Sequence, residues 1–157
     1  MGRLRNYVVL PIAVAEHDGS AELQLNAYEQ SSSLLPPDAA GLESWVSEQS
    51  FNVVESVTVP TMRLDTFMNR AGIESVDFLK IDAQGLDLEV VKSAGDRLVD
   101  VARVQLEATT GAYRQYEGAP GRAAVIEFME SRGFRLAGEE SQSHGQEANL
   151  TFLRPMA

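Results

Sequence analysis

The feature that most constrains this chain is one continuous run, from Val76 to Glu107. VDFLKID (76–82) reads as a short apolar strand, and Gln84-Gly85 as a tight turn. Leu88, Val91, Ala94 and Leu98 then recur at three- and four-residue spacing, the signature of a helix with one buried face. VARVQLE (101–107) follows as a second strand. A strand, a helix and a strand of these lengths imply parallel pairing through a right-handed crossover. Pro120-Gly121 opens another helix, with Val125, Phe128, Met129 and Arg132 on one side and Gly133 as its stop. Strands at 134–138 and 148–153 flank a polar loop, 139–147. That loop is too short for a crossover helix, so the last pair must be antiparallel. The reading is an α/β fold with a mostly parallel sheet and a C-terminal antiparallel hairpin.

The N-terminal half is read more locally. YVVLPIAVA (7–15) reads as a buried strand and His17–Ser20 as a turn. Ala21, Leu23, Leu25 and Ala27 alternate with polar residues, as in a half-exposed strand, and the two strands are expected to pair as a hairpin. After a polar loop (31–37), Asp38 starts a short helix carrying Leu42, Trp45, Val46 and Gln49, which Gly41 weakens. Residues 53–61, rich in valine and threonine, read as a strand. Asp65 stands where an N-cap belongs, before a helix over 66–71 that Gly72 stops. The 157 residues suit a single domain, 1–157.

Composition removes several function classes. A net charge of −10 argues against nucleic acid, whose phosphates are bound by lysine and arginine. The chain has no cysteine, so disulfides, thiolate catalysis and cysteine-ligated zinc are excluded. No apolar run is long enough to span a bilayer, and Pro11 with the acids after it disfavours a signal peptide. A cytoplasmic location and no membrane partner are expected. The Asn149-Leu150-Thr151 sequon is read as a chance match.

Three runs resemble the FkbM-type S-adenosylmethionine-dependent methyltransferase family: VTVPTMRLDTF (57–67), VDFLKIDAQGLDLEVVKSA (76–94), and the strand ending Gln105-Leu106-Glu107. The resemblance implies a Rossmann-like methyltransferase sheet, S-adenosylmethionine as cofactor, and a hydroxyl of a sugar or secondary metabolite as the small-molecule acceptor. Two departures stand out. Gln84 takes the place of the family's usual glutamate. Nothing matches the family's opening strand, glycine-rich turn, helix and second strand, which hold the cofactor. The sheet is therefore expected to lack its first two strands, between 7–15 and 76–82, as in a truncated domain. Exposed edges would remain on both sides, open to a homodimer. A non-catalytic remnant, serving as an oligomerisation or interaction module, is the rival reading.

Asp82 ends a parallel strand, where open α/β sheets place ligands, and the resemblance puts it beside the acceptor hydroxyl as catalytic residue. Its competing role is a cap for the helix after Leu86. Gln84, Glu107, Ser32 and Ser33 are the candidate substrate-binding residues, each with a bland alternative as a solvated turn, edge or loop residue. Asp82, Asp87 and Glu89 form an incomplete oxygen-ligand set, so no metal is assigned. Lys80 is expected to pair with an acid or snorkel. Tyr113, Arg114 and Tyr116 sit in a loop able to stack on an acceptor. His17 and His144 read as solvated.

Overall fold

The computed structural model describes residues 7–43, 48–111 and 114–155. Trp45, Val46 and Tyr113 lie outside them. The chain builds two sheets. The first is ordered β1-β3-β2, from β1 (Ala13–Val14), β2 (Gly19–Asn26) and β3 (Val53–Met62). The second is ordered β4-β5-β7-β6, from β4 (Leu79–Lys80), β5 (Arg103–Thr109), β6 (Arg135–Gln142) and β7 (Glu147–Leu153). Helices α1 (Ala39–Leu42), α2 (Leu64–Ala71), α3 (Asp87–Lys92) and α4 (Arg122–Ser131) connect them. None of the described helices is long and apolar enough to cross a membrane.

The fold is α/β, but the sheets are mixed rather than mostly parallel. β1 with β3 and β4 with β5 are the parallel pairs. β2 with β3, β5 with β7, and β6 with β7 are antiparallel. The parallel ladders are also the short ones, because β4 engages β5 at two positions, Leu79↔Val104 and Lys80↔Gln105. The expected hairpin of the first two strands does not form. β3 lies between β1 and β2, and its Thr61 pairs with both Ala13 and Gly19. Pro60 is tolerated in this central strand because two-residue β1 stops short of it. The C-terminal hairpin does form, with a tighter connection than 139–147, since β6 runs on to Gln142 and β7 starts at Glu147.

The segment 7–15 is not a buried strand. Tyr7, Val8 and Val9 are 73%, 83% and 80% exposed, and ladder pairing starts at Ala13. Apolarity alone cannot bury a strand whose outer side has no neighbour.

The core lies under the second sheet. Leu88, Val91, Ala94 and Leu98 are all buried, as their spacing predicts. Leu88 and Val91 belong to α3, Leu98 to a following 3-10 turn (Gly95–Asp100) and Ala94 to the junction, because Gly95 adopts φ +53° and stops the α-helix from continuing. Val104 and Leu106 of β5, Val125 and Met129 of α4, and Leu150 and Phe152 of β7 complete the packing.

Asp65 is not an N-cap. It sits inside α2, where Arg63 grips its carboxylate through Nε (2.9 Å) and Nη2 (2.7 Å). The first N–H groups of α2 find distant partners instead: Leu64 donates to Ser93 Oγ and Asp65 to the Ser93 carbonyl. Asp38 does cap α1, accepting from Gly41 N at 3.1 Å. Gly41 is there for space, because a Cβ would lie 1.8 Å from the Arg114 carbonyl oxygen.

Candidate functional site

Ile81 N donates to Gln105 O at 2.8 Å, the last bond of the parallel β4–β5 pairing before the chain leaves the sheet. Asp82 therefore stands at the carboxyl end of β4, its side chain 59% exposed. The turn that follows is sharp, with Gln84 at φ +48° and Gly85 at φ +93°. A side chain at Gly85 would lie 2.8 Å from Tyr116 Cδ2, so both backbone angle and space call for glycine.

Gln84 is the hub of this turn. Its Nε2 donates to Asp82 Oδ1 at 2.6 Å, and its Oε1 accepts from the Tyr116 hydroxyl at 2.9 Å. Its carbonyl accepts from Ser33 Oγ at 2.7 Å. Tyr116 is buried, lies 2.7 Å from the Ser31 carbonyl, and packs edge-on against Phe51. Asp82 makes no cap for α3, whose N-cap is Leu86 without a side-chain bond. Lys80 Nζ donates to the Ile81 carbonyl and lies 3.8 Å from Asp82 Oδ2.

Beneath the turn, Asp87 is buried at 3% exposure. Its Oδ2 accepts from Ala83 N (3.2 Å) and its Oδ1 from Glu107 N (3.0 Å). One carboxylate thus ties the loop after β4 to β5. Burial raises its pKa, and the two N–H donors oppose that rise.

Two cavities meet at Asp82 and Gln84, which line both. One, of about 350 Å³, is mostly apolar and lies between β1 and β4, with Val14, Leu34, Ile81 and Leu86 on its walls. The other, of about 700 Å³, is polar: every lining residue except Phe51 carries a hydrogen-bonding side chain. Its size is that of a small-molecule site.

Carboxyl groups set the electrostatics of the polar cavity. Glu107 pairs with Asn149 and Thr109 with Glu147, so the two glutamates are diagonal neighbours on one face of the sheet. Desolvation, then the charges of Glu147, Asp82 and Asp87, push Glu107 up to about 7, against a small opposing effect of Lys80. Glu147, 7% exposed, is also raised, chiefly by burial. Hydrogen bonds from Ser143 Oγ (2.8 Å) and the Gln115 side chain resist that shift.

The structure thus gathers Asp82, Gln84 and Glu107 around one cavity. Ser32 and Ser33 line the apolar cavity instead, and their hydroxyls serve the protein: Ser32 Oγ accepts from Asn26 N, while Ser33 Oγ donates to Gln84 O. Tyr116 is too buried to stack on a ligand. His17 and His144 are exposed. Among the described residues, no three histidines or acids are arranged to hold a metal. Sequence reading missed Ser31, Gln115 and Glu147, all cavity-lining, and the clamp made by Asp87. Period-two alternation would have found Glu147, had β7 been extended back into the polar loop.

No curated protein and no solved structure matches the chain. A family model described as the methyltransferase FkbM domain matches residues 3–136, from the N-terminal segment through both parallel pairings into β6. That span carries the strand-end Asp82, the Gln84 turn and Glu107, and it covers most of the chain: the protein belongs to the FkbM methyltransferase domain family.

Proposed function

We propose that this domain serves methyl transfer to a hydroxyl oxygen of a sugar or secondary metabolite, with S-adenosylmethionine as methyl donor. The observation that carries this reading is the position of Asp82 and Gln84 at the junction of the two cavities. A transfer reaction needs its two partners on either side of one point. The acceptor occupies the polar cavity, with its reacting hydroxyl on Asp82. That carboxylate orients the hydroxyl and takes its proton, and Gln84 Nε2 holds the carboxylate in place at 2.6 Å. Glu107 stands in the same cavity as a second group able to hold a proton near neutrality.

The apolar cavity offers hydrocarbon walls suited to an aromatic ring, but it does not fit the amino-acid tail of S-adenosylmethionine. That tail needs partners for both a carboxylate and an ammonium. Ser33 is engaged with Gln84, and the two charged residues lining this cavity, Lys80 and Asp82, already face each other at 3.8 Å, so neither is free for the tail. This mismatch favours a second reading, a non-catalytic module built on the same sheets. Calorimetric titration with S-adenosylmethionine separates the two. Micromolar binding by this chain supports methyl transfer. Silence from this chain and from an N-terminally extended form supports the module.

A further inference from the structure

The polar cavity carries a marked charge asymmetry. Asp82, Glu107 and Glu147 line it, and no lysine or arginine does so among the described residues. Lys80, the nearest base acting on these acids, lines the apolar cavity, with its ammonium on the Ile81 carbonyl. The three acids are not equivalent. Asp82 is bonded by Gln84, and Glu147 by Ser143 and Gln115. The Glu107 carboxyl has no hydrogen-bond partner among the described residues, although its own N–H is held by Asp87. A desolvated carboxyl without a partner is costly unless a ligand supplies the missing donor.

Apart from the three acids, the lining is neutral: Gln30, Ser31 and Gln115 among its hydrogen-bonding residues, with the rings of Phe51 and of Tyr28, which is 51% exposed. Amides and hydroxyls suit a polyhydroxylated ligand, and an aromatic wall suits the C–H face of a sugar ring. An anionic ligand would face three carboxyl groups with no counter-charge.

We propose that Glu107 is the specificity-determining residue of this cavity, and that the acceptor is a polyhydroxylated amine of the amino-sugar class, its ammonium seated on Glu107. The proposal rests on the reading of the polar cavity as the acceptor site. Phosphorylated and carboxylated acceptors are rejected by Asp82, Glu107 and Glu147 together. An ammonium would also restore the ionised form of Glu107, whose pKa is raised to about 7 by burial and by Glu147 of β7, Asp82 after β4 and Asp87 of α3, against Lys80 of β4. Amine binding at pH 7 should therefore release protons from Glu107.

The test uses the full chain and three probes without methyl donor: glucosamine, N-acetylglucosamine and glucosamine 6-phosphate. Binding is followed by NMR shifts of the Glu107 and Glu147 amides, and proton release by calorimetry in buffers of different ionisation enthalpy. Glucosamine should bind about tenfold more tightly than its neutral acetylated form, a difference of about 1.4 kcal/mol, and the phosphate should bind least. Glu107→Gln should erase the preference for the amine and the proton release. Glu147→Gln should weaken glucosamine binding without erasing that preference, and should ease the rejection of the phosphate. Equal affinities, a preference for the phosphate, shifts outside the cavity, or no binding by any probe would each overturn the proposal. Amine binding at the cavity by a chain that ignores S-adenosylmethionine would sink methyl transfer and leave this inference standing. Donor binding with a preference for the neutral sugar would do the reverse.

Discussion

At the scale of single residues, the acids of this site differ in burial: Asp87 and Glu147 are buried, Glu107 is half-buried and Asp82 is exposed. Glu107 shows the consequence most directly. A carboxyl whose pKa is higher in the folded state than in the unfolded chain binds protons more tightly when folded. Its contribution is therefore fully present below the ordinary value of 4.5 and is lost as pH rises through about 7. Glu107→Gln removes that titration. The variant and the parent should have similar stability at pH 5, and the variant should be more stable by about 2 kcal/mol at pH 8, with partial exposure discounted. Urea unfolding across this range checks it; parallel pH profiles would mean that Glu107 titrates normally. Asp82 and Glu107 were legible as candidates because each ends or nearly ends a strand in the sequence pattern. The absence of a partner for Glu107 was not legible, since it depends on which neighbours β7 brings.

At the scale of elements, the turn between β4 and α3 joins the two halves of the site. Its glycine could be read from the sequence, but the reason for it could not. Tyr116 presses on Gly85 from a loop 31 positions away in the chain. Asp87 likewise reads as an ordinary acid favoured by the start of a helix. In the fold it holds the Ala83 and Glu107 N–H groups with one carboxylate. Asn at this position keeps the size but offers one acceptor and turns an amide donor toward an N–H. Asp87→Asn should cost about 1–3 kcal/mol, and hydrogen exchange at the Ala83 and Glu107 amides should quicken more than elsewhere in the core. Uniform quickening would assign Asp87 to general stability and not to this joint. The apolar periodicity was sound, since Leu88 and Val91 of α3 and Ala94 and Leu98 beyond it are all buried. The length of the helix was misread because spacing is blind to the backbone angle that Gly95 takes.

At the scale of the whole molecule, two sheets stand where one was expected. β1 ends the first and β4 ends the second, and the apolar cavity lies between them. In the segment that leads into β1, Tyr7, Val8, Val9 and Leu10 are exposed. Unpaired edges next to exposed apolar residues predict concentration-dependent self-association. The net charge of −10 opposes it, so association should grow as salt screens that charge. Sedimentation velocity of the parent and of a Val8→Lys, Val9→Lys variant checks this. The parent should shift to larger species with concentration and salt, and the variant should stay monomeric with an unchanged melting temperature. A parent that is monomeric under all conditions would show these edges to be inert.

By itself the sequence determined the order of elements in the C-terminal half, the buried faces of its helices and the strand-end position of Asp82. These follow from periodicity, turn chemistry and local backbone preference, which act between near neighbours in the chain. The tertiary structure decided that the sheets are mixed and separate, that 7–11 lie exposed, and that Glu107 shares a cavity with Glu147. Strand burial and carboxyl protonation depend on groups brought from far along the chain, and no local pattern records which groups those will be.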